Sequence, residues 1–348
     1  MAKEPMTYAG AGVDIKAKDE AAKAMAKAFA FRRTGLGAPL GGVGHFAGMV
    51  EFGEYALVLA TDGVGTKLEI ATAMRKWDTV GIDCVAMNVN DAICVGAEPI
   101  AFVDYLAVDK ADPHLSAELA KGLDEGCRQS NMTLIGGETA ILPSIVKGYD
   151  LAGTVLAYVR KDRILTGQKI APGDVLIGLP ASGIHSNGYT LARRIFEEAG
   201  MGYDQVVYGN ERLGDVLLTP TTIYVRAILD LVNSGLEVHG VSNITGSGLL
   251  NIPRLNKNVR YVLDNPLEPN RIFQVMQELG RVTHQEMYKT FNMGMGLCVI
   301  VPESAAEAAV KLLAKHHPGT RVVGRVHEGH GTEVPRLGVR FEGAKANF

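Results

Sequence analysis

Between Ala60 and Pro99 two apolar stretches end in acids. TDGVGTK occupies Thr61–Lys67, and VNDAICVGAEP occupies Val89–Pro99. A third such element, LIGGETA, lies at Leu134–Ala140. Each places a carboxylate (Asp62, Asp91, Glu138) just after apolar residues, beside glycine or a helix end. An acid that closes a buried stretch needs water, a metal or a ligand to offset its desolvation. Three of them in one half of a chain point to a shared Mg²⁺–phosphate site, since Mg²⁺ is held by a few carboxylates together with substrate phosphates.

The surrounding sequence narrows the class. At 348 residues the chain exceeds the usual size of a single core, so two domains are expected. We place their boundary in the polar, turn-rich segment Arg160–Asp174, giving residues 1–165 and 166–348. Strand-like and helix-like segments alternate in both halves, which predicts an α/β or α+β fold. The strands expected are YALVLATD, Ile100–Val108, MTLIGG, Leu151–Val159, DVLIGLP, Gly296–Pro302 and Arg321–Val326. The helices expected are 19–33, with Asp19 able to cap it, then Thr79–Val95, Ser116–Ser130, YTLARRIFEEAG, Thr219–Asn233 and Ser304–Lys315. A net charge of −3 without a basic run gives no footprint for nucleic acid. No apolar run reaches the roughly 18 residues of a membrane span. MAKEPMTYAGAG lacks the apolar core of a signal peptide. Cys84, Cys94, Cys127 and Cys298 form no CxxC pair and read as reduced thiols. A cytoplasmic protein is expected.

No GxxxxGK[ST] is present, which argues against a P-loop ATPase. Gly42–Ala47 matches GxGxxA, but a loop precedes it and a strand follows, the wrong order for a dinucleotide fold. In TDGVGTK a strand delivers Asp62, Gly63 and Gly65 allow close backbone approach, and Lys67 can reach a phosphate as a point charge. A tight turn with Asp62 bonded to backbone amides is the alternative. Asn88 and Asp91, three apart, share a helix face with Cys84, whereas Asn90 is offset. They serve either a ligand or a network at the helix C-terminus. Glu138 fits as a third metal ligand or sits in a turn. GLPASGIHSNGYTLARR joins a strand to a helix, whose free N-terminal amides attract anions. His185 and the capping residues Ser186 and Asn187 lie there; a structural histidine is the alternative. Thr245–Gly248 is a second glycine loop, followed by Asn251–Arg254, and Thr283–Gly296 ends in two glycines. His45, His316 and His317 read as surface or structural residues.

The segments YAGAGVDI, TDGVGTK, GIDCVAMNVNDAICVGAEP, IGGETA, SGIHSNGYTLARRI, NIPR and HQEMYKTFNMGMG resemble, in order and spacing, the phosphoribosylformylglycinamidine cyclo-ligase family. The resemblance spans roughly residues 8–326. It implies two α/β domains, the first contributing strands to a dimer-interface β-barrel beside an ATP cleft. It implies cyclisation of formylglycinamidine ribonucleotide, in which ATP phosphorylates the formyl amide oxygen and phosphate then leaves. Phosphoryl transfer needs Mg²⁺ and cationic clamps rather than a protein nucleophile. On this resemblance, Asp62, Asp91 and Glu138 hold Mg²⁺. Lys27, Gly63, Gly65, Thr66, Lys67, Asn88, Asp91 and Gly137 meet ATP. Ser186, Asn187, Gly188, Thr245, Gly246 and Asn292 meet the substrate, and His185, Lys67 and Asp62 act in catalysis. Thr245-Gly246-Ser247-Gly248 departs from the family's fuller glycine run, Asn243 stands where a histidine is usual, and a glutamate before NIPR is missing. A kinase of the wider superfamily and a non-catalytic carrier are the competing readings. Selenophosphate synthetases would need a reactive cysteine near the N-terminus, and the first here is Cys84. The related amidotransferase is a much longer chain.

Overall fold

A computed structural model describes residues 5–13, 15–41 and 46–344. Much of the Gly42–Ala47 motif, and His45 with it, lies outside the described residues. The strand Gly48–Phe52 follows directly, so no helix opens after those glycines.

The chain builds two separate mixed sheets. The first has five strands in the order Gly48–Phe52, Tyr55–Gly63, Tyr149–Arg160, Glu98–Val108 and Thr133–Ile141. Only the last two pair in parallel. Their crossover is the helix Pro113–Ser130, whose N-terminus is capped by the Asp112 carboxylate accepting from the His114 and Leu115 amides. Burial alternates along Tyr55–Gly63, with Ala56 and Val58 inside and Tyr55 and Leu59 outside. One face therefore packs against the helices Asp78–Ala92 and Pro113–Ser130, and the other is open. The open face exposes Tyr55, Leu59, Val103 and Tyr105.

The second sheet has seven strands in the order Val339–Phe341, Gly331–Val334, Val259–Val262, Arg321–Glu328, Val175–Pro180, Met295–Val301 and Gly240–Asn243. Met295–Val301 is buried along its whole length, as its continuous apolar sequence requires. The helices Tyr189–Glu198, Val225–Asn233, Arg271–Gly280 and Ala306–His316 complete this half. The α/β (α+β) class holds. Among the described residues no helix is long and apolar enough to cross a membrane.

Two expected helices are corrected. The first spans Ile15–Ala28, which places Asp19 within it rather than at its start. The one expected from Thr219 begins only at Val225. Side chains from the first half capture the backbone before it. Lys67 takes the Thr219 carbonyl, Asp83 the Thr221 amide, and Asn90 the Thr222 carbonyl and Tyr224 amide. Groups bonded this way are not free to close a helical turn.

The helices Asp78–Ala92 and Pro113–Ser130 cross where Gly81 meets Gly122. A Cβ on Gly122 would lie 2.1 Å from the Asp78 carbonyl oxygen. Gly122→Ala should therefore destabilise the protein by about 1–3 kcal/mol, overpacking outweighing the roughly 1 kcal/mol gained in helix propensity. Urea midpoints would show it; an unchanged or higher midpoint would mean that the two helices can separate freely.

Candidate active site

Three glycine-bearing segments of the second half meet around His185. The Asn292 amide donates to the Gly183 and Ile184 carbonyls, at 2.9 and 3.2 Å, and its oxygen accepts from Gly294. The Phe291 ring lies against Gly188, where φ is +87° and a Cβ would sit 2.3 Å from the ring; glycine is required on both counts. The His185 ring and the Tyr224 hydroxyl occupy the space above Gly296. Gly246 abuts the Asn187 side chain, and Asn251 donates to the carbonyls of Thr245, Gly246 and Gly248. Thus HSNGY, TGSG–NIPR and FNMGMG, separate in sequence, form one wall.

The first half supplies the opposing wall. Asp62 is the next-to-last residue of its strand and accepts from the Gly63 amide at 2.8 Å. The loop then enters the helix Lys67–Met74. The Thr66 hydroxyl lies 3.2 Å from that of Thr190, in the first turn of Tyr189–Glu198, so two helix N-termini converge. Asn88 donates to the Asp62 and Cys84 carbonyls. Asp91 accepts from Asn243 at 2.8 Å, and the Arg254 guanidinium lies within its field, over the Phe46 ring.

Several expected roles are corrected. Lys67 is fully buried, paired with Asp83 at 2.7 Å, and donates to the His185 and Thr219 carbonyls. An ammonium has three protons, and this one has three partners, so none is left for a phosphate. Burial lowers its pKa, and Asp83 opposes that shift. Asn292 is a brace for the His185 loop, with both ends of its amide bonded internally. Glu138 does not join Asp62. Asp62, Gly153, Asp104 and Gly137 are in register and share the helix-packed face, whereas Glu138 pairs with Tyr105 on the open face. Among the described residues no group of three His, Cys, Asp or Glu could hold a metal. Gly137 serves locally, making room for the Asp104 carboxylate, which burial pushes up in pKa. Lys27 is exposed in the last turn of Ile15–Ala28. Asn90, read as offset, reaches across to the second half instead.

The family model for the AIR synthase related protein N-terminal domain matches residues 44–159, and that for the C-terminal domain matches 171–335. The phosphoribosylformylglycinamidine cyclo-ligase of Methanosarcina barkeri is 50% identical over 94% of this chain and 97% of its own. The chain belongs to the phosphoribosylformylglycinamidine cyclo-ligase family. Solved structures share its fold: a HypE–HypF complex at TM-score 0.64 and 14% identity, covering 90% of this chain and 95% of that one, and the hydrogenase maturation protein HypE in complex with ATP at 0.60 and 17%, covering 82% and 83%.

Set against that family, one feature of the wall gains meaning. The Asn88 Oδ1 is buried and has no hydrogen-bond partner, although it lies on the helix face that carries Asp91. Like the Asp62 and Asp91 carboxylates, it is a hard oxygen donor of the kind that suits Mg²⁺. Asp83 escaped the sequence reading, and Asn243 and Arg254 were noted there without their relation to Asp91. Asp83 was open to the same argument as the other acids, since it interrupts the apolar run GIDCVAM.

His185 is 5% exposed, and burial, then the Lys67 charge, lowers its pKa to about 3. Its Nε2 accepts from the Ser182 amide at 3.3 Å, which puts the ring proton on Nδ1. The unfolded chain protonates this histidine below about pH 6.5 and the folded chain does not. Stability must therefore fall as pH drops from 6.5 towards 5, by up to about 1.4 kcal/mol per unit for each such group. His317, lowered to about 4 by burial and His316, adds in the same direction. Urea midpoints across this window should show the slope, and His185→Asn should flatten part of it. A wild-type stability independent of pH there would mean a solvated imidazole.

Proposed function

We propose a division of labour for a chain whose activity is the ATP-dependent cyclisation of formylglycinamidine ribonucleotide to aminoimidazole ribonucleotide, with release of ADP and phosphate, in purine biosynthesis. Residues 1–165 carry the nucleotide, and 166–348 carry the substrate. The observation that supports this most directly is the meeting of two helix N-termini at Thr66 and Thr190, ends whose dipoles favour phosphate.

Asp62, Asn88 and Asp91 hold Mg²⁺, which when bound neutralises charge on the transferring phosphoryl group. Gly63, Gly65 and Thr66 line the phosphates. Asn187, Gly188, Thr245 and Gly246 border the substrate, and Ser186 fixes its loop through Thr221. The γ-phosphoryl passes to the formyl amide oxygen, giving ADP. The ribose-bearing amidine nitrogen then attacks that carbon and gives up its proton, the ring closes, and inorganic phosphate departs with the former amide oxygen. His185, kept neutral, presents an Nδ1 proton to orient the substrate rather than a cation to bind phosphate. ADP release should require formylglycinamidine ribonucleotide, and Asp62→Asn should lower it about 100-fold or more without unfolding the chain. A kinase of another compound would release ADP independently of that ribonucleotide. Unchanged Mg²⁺-dependent turnover in both Asp62→Asn and Asp91→Asn would sink the assigned site.

We place the enzyme in the cytoplasm as a homodimer that binds neither nucleic acid nor membrane. The four cysteines are buried and unbridged, in keeping with a reducing compartment. The open face of the five-stranded sheet supports the dimer. Tyr55, Leu59, Val103 and Tyr105 form the kind of exposed apolar surface that soluble proteins cover. Two such faces together close the expected barrel, and Glu138, on that face, would then serve the twin's site. Light scattering across a dilution series, run beside the ADP assay, should show activity falling with dissociation. A fully active monomer would overturn both the interface and the role of Glu138.

A further inference from the structure

We propose that Asp83 is a positioning residue for the cyclisation: through Lys67 and Thr221 it sets, from the nucleotide half, the backbone of the loop that carries His185. Asp83 is fully buried in the helix Asp78–Ala92. Its Oδ1 accepts from the Thr221 amide at 2.8 Å and from the Thr221 hydroxyl at 2.6 Å. Its Oδ2 lies 2.7 Å from the Lys67 ammonium. The Thr221 hydroxyl also lies 3.1 Å from that of Ser186, and Lys67 donates to the His185 carbonyl at 3.1 Å. One carboxylate thus reaches both sides of the peptide that joins His185 to Ser186.

That peptide needs holding. His185 has φ of +67°, a left-handed conformation that a residue with a Cβ rarely adopts. Such a conformation persists where its surroundings over-determine it. Here the carbonyl is fixed by Lys67, the next side chain by Thr221, and the ring by Ser182 and the space over Gly296. Two of these restraints lead back to Asp83. Without them His185 can relax to an ordinary φ, which swings the imidazole away from Tyr224 and turns the amides of residues 186–188 off the helix axis. In the nucleotide wall the Asn88 amide donates elsewhere, to the Asp62 and Cys84 carbonyls.

The inference rests on the reading of the His185 loop as the substrate wall, and the test separates the two. In Lys67→Met/Asp83→Leu the buried pair is replaced by apolar residues of similar volume, an exchange that buried pairs often tolerate. The full-length double variant should fold. Its KM for formylglycinamidine ribonucleotide should rise about tenfold, as expected for loss of one charge-assisted hydrogen bond, while its KM for ATP stays near the wild-type value. Hydrogen exchange at amides 185–188 should quicken in the ligand-free enzyme. If the double variant fails to fold, Thr221→Val decides, since it keeps the ion pair and removes only the hydroxyl between Asp83 and Ser186. It should quicken the same amides and raise only the ribonucleotide KM. Unchanged exchange at these amides in the variant that folds would overturn the positioning role, and so would equal rises in both KM values. A kinetically silent His185→Ala would instead remove the substrate-wall reading, while the exchange result still judges the hold on the loop.

Discussion

The Lys67–Asp83 pair is the contact around which the two halves are arranged. Removing two charges from water costs several kcal/mol per ion, and the attraction between them offsets this only when the remaining donors and acceptors are also satisfied. Here they are satisfied by the other half of the molecule. The two carbonyls that complete Lys67 belong to His185 and Thr219, and the amide and hydroxyl that complete Asp83 belong to Thr221. The charges can be buried only if the halves meet in this one register. Asn90 with Thr222 and Tyr224, and Asp91 with Asn243, repeat the principle along the same seam. An apolar seam would be more forgiving of sliding, because hydrophobic burial has no direction.

This explains which parts were legible beforehand. The strands Tyr55–Gly63, Glu98–Val108 and Val175–Pro180 announce themselves by apolar runs, and the helix Tyr189–Glu198 by its periodicity and the glycine before it. The residues of the two walls were also named, because acids and glycines at element ends are conspicuous. Partnership was not legible. Nothing in TDGVGTK says that the lysine turns inward, since the acid that draws it lies sixteen residues later on another helix. Far greater separations, from 132 to 152 residues, hide the start of Val225–Asn233. Thr219–Tyr224 offers a proline suited to a first turn, yet tertiary bonds hold the segment open.

Glu138 illustrates a different limit. A strand alternates its faces, so moving a residue by one position carries it through the sheet. Gly137 shares the face of Asp62, and Glu138 does not. The sequence places an acid at that strand, but only the register with Asp104 and Tyr105 decides which side it serves.

The electrostatics of the site follow from where Lys67 points. Had it faced the cleft, it would have been the natural clamp for phosphate. Turned inward and paired, its charge instead discourages protonation of His185, adding to the effect of burial. In the proposed function, phosphate attraction therefore rests on the backbone rather than on this side-chain cation. Each helix N-terminus carries roughly half a positive charge, and those of Lys67–Met74 and Tyr189–Glu198 meet at Thr66 and Thr190. Backbone amides hold their direction without the conformational entropy a long side chain must lose on binding. A reaction that moves a phosphoryl group from one substrate to another gains from such fixed donors, because charge is stabilised where it develops with no reorganisation at that moment. In the proposed function the buried pair and the helix ends are thus two sides of one arrangement: the lysine orders the walls from behind, and the helix ends are left to face the phosphates.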